Sequence, residues 1–272
     1  MKHPAITSTT RLCGILGNPV EHSLSPLIHN TAFAHWNLDY VFLAFRVENL
    51  KEAVLGIRAL DFKGVSVTIP HKVEIMDYLD DIDEVAGKIG AVNTVVNHEG
   101  RLIGYNTDLS GAVKALEEKI EIKNKKTVLL GAGGAARAIA FGLKEKGAHL
   151  TILNRTVKKA QRLASELGCE YGGLELIDSF KPDILVNTTS LGMHPRVDEM
   201  PVRKEFLNDM LVFDIIYNPL RTRLIREAEK NGCPTIPGLE MFINQAALQF
   251  TLWTGKEAPV ELMKKAVMEE LS

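Results

Sequence analysis

The chain has 272 residues, a length that predicts about two domains. Hydrophobic residues make up 46 % and charged residues 24 %, which excludes a disordered or fibrous chain. Thirty-two Lys and Arg against 34 Asp and Glu leave a net charge of −2, without the basic surplus of a protein that lives on phosphate-backbone contacts, so no nucleic-acid partner is expected.

Apolar runs alternate with helical patterns along almost the whole chain. Leu12 to Leu16 reads as a strand closed by the turn signal Asn18-Pro19. Ser25-Pro26 reads as an N-cap and first helical residue, with Ile28, Ala32 and His35 or Trp36 on one face. Tyr40 to Val47 is a second strand, and Leu50, Val54, Ile57 and Leu60 mark a helix. Gly64 to Ile69 is a strand, and Pro70-His71-Lys72 is expected to start a helix. Ile89 to Asn97 and Leu102 to Tyr105 suggest a hairpin around His98-Glu99-Gly100. A helix from about Ser110 to Lys119 then leads into a charged stretch, Glu117 to Lys126, that suits a domain boundary.

The pattern then restarts. Thr127 to Leu130 is a strand, and Gly131-Ala132-Gly133-Gly134-Ala135-Ala136-Arg137 opens a helix to about Lys146. His149 to Leu153 is followed by a helix from about Val157 to Leu167, and Ile184 to Val186 and Leu211 to Ile216 are buried strands. Strands alternating with helices predict an α/β fold with parallel sheets. Cys13, Cys169 and Cys233 form no C-x-x-C pair and suggest no disulfide framework, which fits a reducing compartment. No apolar run is long enough to span a membrane. The stretch from Met1 to Ser8 lacks the apolar core of a signal peptide, so a soluble cytoplasmic protein is expected.

Gly131-x-Gly133-x-x-Ala136 has the spacing of a dinucleotide-binding turn. A tight turn needs Gly131, a pyrophosphate approaching the backbone needs Gly133, and the helix start with Gly134 and Ala135 offers N–H groups to an anion. The loop follows a strand and opens a helix, the context such a site requires. NAD sites place an acidic residue about 20 positions on, whereas NADP sites place a cation there. Here the next strand ends in Asn154-Arg155-Thr156, with Lys159 one turn later, which favours NADP. Thr156 suits both an N-cap and a phosphate donor.

Further segments occur in a telling order. They are Asn18 to Pro26, Val67-Thr68-Ile69-Pro70-His71-Lys72, Gly90 to Thr94 and Gly104-Tyr105-Asn106-Thr107-Asp108, then the Gly131 loop and Asn154-Arg155-Thr156 with Lys159. Asn187-Thr188-Thr189-Ser190-Leu191-Gly192-Met193 and Gly238-Leu239-Glu240-Met241 through Gln245-Ala246 complete the series. Over nearly its full length the chain resembles the shikimate dehydrogenases. The resemblance implies NADP-dependent interconversion of shikimate and 3-dehydroshikimate, on the route to chorismate and the aromatic amino acids.

The residues also carry chemistry of their own. Ser23 and Ser25 sit before a helix whose dipole favours an anion, so they suit a substrate carboxylate, although capping alone would also explain Ser25. Lys72 at a helix start gains nothing from the dipole, which together with partial burial favours loss of its proton and so a role in proton transfer. Asp108 is expected to hold the Lys72 ammonium and touch a substrate hydroxyl, with the N-cap of the next helix as its structural alternative. Asn93 interrupts the run Ala91 to Val96, and a buried amide there needs partners. By resemblance these are substrate hydroxyls, as for Thr68, Tyr217 and Gln245. Leu239, Phe242, Ala246, Phe250 and Trp253 form an apolar stripe, with Met241 and Gln245 on a neighbouring face. The resemblance places Met241 and Gly238 near the nicotinamide, with Thr188 and Ile215 as further cofactor contacts. His22 and His71 lack partners at metal-ligand spacing, so they are read as structural and no metal is expected.

The expected architecture is two α/β domains with a cleft between them. Residues 1–107, completed by C-terminal helices over 240–272, form the substrate domain, and residues 108–239 form a Rossmann-like NADP-binding domain. A quinate/shikimate dehydrogenase using NAD and a non-catalytic NADP-binding regulator on the same fold stay open as alternatives. So does the choice between monomer and homodimer.

Overall fold

A computed structural model describes residues 5–272; Met1 to Pro4, the start of the stretch read for a signal peptide, lie outside the described residues. Two units divide the chain, one holding residues up to Thr107 together with Gln245–Glu270, the other Asp108–Asn244. The charged stretch Glu117 to Lys126 therefore lies within the second unit, joining a helix to a strand, and marks no boundary between them.

The first unit opens with β1 (Arg11–Gly17), α1 (Ser25–His35), β2 (Tyr40–Arg46), α2 (Leu50–Ala59) and β3 (Gly64–Val67). Each helix carries the chain back so that β1 pairs in parallel with both β2 and β3. β4 (Asp81–Ile82), α3 (Glu84–Ile89), β5 (Thr94–His98) and β6 (Arg101–Tyr105) follow. The six strands lie in the order β2-β1-β3-β5-β6-β4. β5 runs antiparallel to β3 and to β6, and this reversal brings Thr94 opposite both Ser66 and Tyr105. The turn of the β5–β6 hairpin is Glu99-Gly100, both at positive φ, the pairing that matches strand twist.

Several local expectations are corrected. Ser25 is the first residue of α1, not its cap: Leu24 holds the cap position, and the Ser25 N–H reaches Ser23 Oγ at 3.3 Å. The buried face of α1 is Ser25, Ile28, His29, Ala32 and Phe33, while His35 and Trp36 are exposed. His29 lies stacked on Phe42, with Trp253 beside it, so an aromatic cluster takes the place a polar residue would be expected to avoid. Leu60 caps α2 in solvent. Pro70-His71-Lys72 starts no α-helix; a turn there leads only into a short 3₁₀ helix, Glu74–Tyr78. Ile89 ends α3, whose start Asp83 caps through Val85 N–H, and Gly90 closes it in the left-handed conformation; the strand begins only at Thr94.

The second unit continues with α4 (Thr107–Glu117), β7 (Lys126–Leu130), α5 (Gly134–Glu145), β8 (His149–Leu153), α6 (Val157–Leu167), β9 (Glu170–Gly172), β10 (Ile184–Asn187), β11 (Leu211–Asp214), α7 (Arg223–Lys230) and β12 (Thr235–Ile236). α4 starts three residues before the expected Ser110. All pairings in this sheet are parallel, in the order β12-β11-β10-β7-β8-β9. Counted from β7, that is the 3-2-1-4-5-6 order of a Rossmann sheet, with its switch point between β7 and β10. Successive strand residues feed opposite faces: Leu129, Ile184, Val186 and Phe213 join one core cluster, Val128, Leu130, Leu185 and Val212 the other.

α8 (Gly238–Thr254) passes from the second unit into the first between Asn244 and Gln245, and α9 (Val260–Glu270) packs on α1. Within the first unit Trp253 Nε1 donates to Val95 O at 3.1 Å. Gly64 makes room for this indole: a Cβ there would overlap Trp253 Nε1 and stand 2.5 Å from Val95 O. Gly64→Ala is expected to destabilise the chain by about 3 kcal/mol through overpacking, read as a lowered urea midpoint at unchanged slope.

Candidate active site

In the first unit, the ends of the paired strands gather most of the expected substrate residues. Thr68 N–H donates to Leu16 O at 2.9 Å and Asn18 N–H to Ile69 O at 2.9 Å, which locks the segments after β1 and β3 together. His71 N–H reaches Thr68 O at 2.9 Å, and Val92 N–H reaches Lys72 O at 2.7 Å. Val67 N–H donates to Asn93 O at 2.8 Å. Thr68, Lys72 and Asn93 are thus held to one another through the backbone, with Ser23 and Ser25 on the segment leaving β1. Lys72 is half-buried in a turn, so the helix-dipole argument for it does not apply. His71 is buried and its Nε2 lies 3.0 Å from Val47 O, a packing role.

The Asn93 side chain finds the partners a buried amide requires. Its Oδ1 accepts from Thr107 N–H at 2.7 Å and from Thr94 Oγ1 at 2.8 Å, and its Nδ2 donates to Thr107 Oγ1 at 3.0 Å. Thr107 opens α4, so this bond fixes the point at which Asp108 leaves the first unit. Asp108 is buried in the first turn of α4 and is not the residue that caps it.

Gln249 is the residue that sequence reading missed. It is fully buried, accepts from Ser66 Oγ at 2.8 Å, and donates to Thr94 Oγ1 at 3.0 Å and Asn93 O at 3.3 Å. One turn before it on α8 lies Gln245, itself buried, so the register of Gln245 is set by these bonds. A polar residue four positions beyond Gln245, in an otherwise apolar stripe, was the available signal.

In the second unit, the switch point of the sheet carries the glycine loop. Gly131 has φ +114°, and a Cβ there would overlap Thr188 Oγ1. Thr188 itself donates through N–H and Oγ1 to Leu130 O, at 2.9 and 2.6 Å. A Cβ on Gly133 would meet nothing within 4 Å, and no side chain caps the start of α5. Room for an anion and uncapped helix N–H groups therefore coincide along Ala132 to Ala135, while the Gly131 N–H is taken by Leu153 O at 2.8 Å. At the end of β8, Arg155, Thr156 and Lys159 are exposed and Asn154 is half-buried, its Nδ2 donating to Thr156 O at 3.0 Å. Thr156 holds the cap position of α6 but makes no side-chain cap bond, which leaves its hydroxyl to other partners. This donor set fits the phosphates of NADP, with no carboxylate at the position where NAD sites hold the ribose.

Ile215, Tyr217, Gly238 and Met241 cluster in the same unit. Tyr217 stacks on Phe242 at 4.0 Å between ring centres. A Cβ on Gly238 would overlap the Ile215 carbonyl, so glycine is required where α8 starts. Met241 is buried in the core with Ile215 packed against the same cluster. At the end of β11 sits Asp214, fully buried, its carboxylate accepting from Asn187 Nδ2, Ile216 N–H and Thr222 Oγ1 at 3.0, 3.2 and 2.6 Å. Burial raises its pKa to about 6 despite these three donors. Among the described residues no group of three or more His, Cys, Asp or Glu is placed to hold a metal ion, and no helix is long and apolar enough to cross a membrane.

Three family descriptions match successive parts of the chain. Residues 15–95 match the shikimate dehydrogenase substrate binding domain, residues 113–219 the shikimate / quinate 5-dehydrogenase family, and residues 238–268 the shikimate 5'-dehydrogenase C-terminal domain. A shikimate dehydrogenase (NADP(+)) of Methanocaldococcus jannaschii is 47 % identical over 98 % of this chain and 99 % of its own. The chain belongs to the shikimate dehydrogenase family. A shikimate dehydrogenase crystallised with NADP+ superimposes with a TM-score of 0.93 at 47 % identity, covering 98 % of each chain. The Thermus thermophilus shikimate dehydrogenase, in complex with NADP(H) and shikimate, gives 0.87 at 37 % identity, covering 95 % of this chain and 99 % of that one. The α/β class and the resemblance read from the motifs thus agree with family, relatives and fold.

Asp214 makes stability depend on pH. The folded carboxyl, with a pKa near 6, binds its proton more tightly than an unfolded one at 3.8. Its contribution is therefore complete below about pH 4 and lost as pH rises through about 6, a change of about 3 kcal/mol. Asp214→Asn keeps an acceptor and removes the charge. Denaturant unfolding should show the variant gaining on the parent by about that amount between pH 4 and pH 7, and a constant difference would contradict the assignment.

Proposed function

We propose that the chain is an NADP-dependent shikimate dehydrogenase that interconverts 3-dehydroshikimate and shikimate, acting in the cytoplasm on the route to chorismate and the aromatic amino acids. The observation that carries the cofactor reading is the open glycine cradle at the β7–β10 switch point, followed at the end of β8 by exposed Arg155 and Lys159 without a carboxylate. Membership of the family supports the substrate. In this reading the first unit, with the end of α8 and α9, binds substrate, and the second binds NADP.

NADPH supplies the hydride for the C3 carbonyl when bound. The chain's own residues orient the reactants and move the proton. Ala132, Gly133, Gly134 and Ala135 receive the pyrophosphate through backbone N–H groups, and Gly131, whose own N–H is held by Leu153 O, makes the turn that brings the phosphate to them. Asn154, Arg155, Thr156 and Lys159 hold the adenosine end and its 2′-phosphate, the guanidinium supplying both charge and a flat face. Thr188, Ile215, Gly238 and Met241 shape the nicotinamide end. Ser23 and Ser25 donate to the substrate carboxylate, and Thr68, Asn93, Tyr217 and Gln245 bond its hydroxyls. Lys72 Nζ gives a proton to the oxygen at C3 during reduction and takes it back in the reverse direction. Asp108 is its counter-carboxylate and a second partner of the reacting hydroxyl.

The test is shikimate-dependent reduction of NADP+ followed at 340 nm, with quinate and NAD+ as the competing pair. Higher kcat/KM with shikimate and NADP+ is expected, and a preference for NAD+ would overturn the role given to Arg155 and Lys159. Lys72→Ala should lower kcat by about 10²- to 10⁴-fold, with shikimate affinity by equilibrium titration roughly retained. Turnover that survives the substitution would remove Lys72 from proton transfer.

A further inference from the structure

Asp214 lies in no motif that defines the proposed site, yet its carboxylate joins the two loops on which the nicotinamide side of that site depends. One oxygen, Oδ1, accepts from Asn187 Nδ2 at 3.0 Å and from Ile216 N–H at 3.2 Å. Asn187 is the last residue of β10, and its own Oδ1 accepts from Thr189 N–H and Thr189 Oγ1 at 3.0 and 2.7 Å. The Asn187 amide is therefore clamped between Asp214 and the segment that begins with Thr188. Ile216 follows Ile215 and precedes Tyr217, so the second bond sets the path of the chain leaving β11. Ile215 N–H in turn donates to Asn187 O at 3.2 Å. The other oxygen, Oδ2, turns away to Thr222 Oγ1, which caps α7 through Ile225 N–H.

The burial of this group calls for an explanation. A carboxylate with no exposed surface costs stability at neutral pH, whereas an apolar residue at the end of a core strand would not. Three donors reduce the cost without removing it. An acceptor that reaches two loop segments and a helix cap at once is what the position gains in return. No charged side chain is among its described partners, so the carboxylate serves as an acceptor hub and not as half of an ion pair.

We propose that Asp214 is a positioning residue for the cofactor: through Asn187 and the Ile216 N–H, its Oδ1 holds Thr188 and Ile215 in the arrangement that binds the nicotinamide end of NADP. The inference rests on the NADP reading above. Its energetic reach is that of a supporting shell, which keeps contacting groups within a fraction of an ångström of productive geometry.

Titration of NADP+ by fluorescence separates the possibilities, with kcat and KM for NADP+ measured alongside. Asp214→Ala and Asn187→Ala should each weaken NADP+ binding about tenfold and raise its KM in step, with kcat at saturating NADP+ held within about twofold. Asp214→Asn keeps the Oδ1 acceptor, and its amide can face Thr222 Oγ1, so binding should stay within about threefold of the parent. Thr222→Val removes the Oδ2 partner and the α7 cap; it should lower the melting temperature while NADP+ affinity is unchanged. Should Asp214→Ala fail to fold, Asn187→Ala and Asp214→Asn decide the matter. Parent-like binding by Asn187→Ala, or an equal loss in Thr222→Val, would overturn the proposal. A parent chain that binds no NADP+ would instead overturn the cofactor reading itself.

Discussion

Parallel strand pairing is the constraint from which the site follows. Two parallel neighbours cannot be joined by a tight turn, so each crossover must carry the chain back over a face of the sheet. Both faces are then covered, the strands become continuously apolar, and every carboxyl end points to the same edge. In the second unit this collects the segments after β7, β8, β10 and β11, which are otherwise scattered from Gly131 to Tyr217. In the first unit β1 and β3 obey the same rule, and the reversed β5 adds its amino end, with Asn93, to that edge. Chemistry concentrates there because loop backbone and polar side chains can reach solvent or ligand without breaking a ladder.

The two units solve the polar problem at that edge in a similar way. In the first, Ser66, Gln249, Thr94, Asn93 and Thr107 form one connected set of buried hydrogen bonds. In the second, Asn187, Asp214 and Thr222 do the same around a carboxylate. Buried polar groups are costly when unmatched and specifying when matched. Each set therefore fixes loops that hydrophobic packing alone would leave free to shift. The small residues next to them act by exclusion: Gly131 admits Thr188, Gly238 admits the Ile215 carbonyl, and Gly64 admits the Trp253 indole. In all three cases the missing Cβ permits a close approach.

Reading order from sequence succeeded where signals are local and failed where they are borrowed. The glycine loop, the strand before it and the helix after it were legible because turn chemistry and periodicity sit within a few residues of one another. Pro70-His71-Lys72 resembled a helix start, but the Val92 N–H takes the Lys72 carbonyl and the segment turns instead. On α1, Ile28 and Ala32 lie on the buried face as the pattern predicts, whereas His35 and Trp36 do not; His29, which has a titratable ring, is instead buried among Phe33, Phe42 and Trp253, and burial lowers its pKa to about 3. Trp36, which is apolar, lies 41 % exposed, its indole bonded to Glu257 O. No local pattern distinguishes these two cases.

The sequence by itself determined the alternation of strands and helices, the glycine turn at Gly131, the cationic residues that follow β8, and the set of motifs that marks the family. These depend on backbone preferences and side-chain chemistry over spans of one or two turns. Tertiary structure alone decided the strand order and the partners of Gln249, Asn187 and Asp214. Ser66 and Gln249 are 183 positions apart, and Asn187 and Asp214 are 27. A buried polar residue declares in sequence only that it needs a partner; which partner it obtains depends on how distant segments pack, and no local preference encodes that.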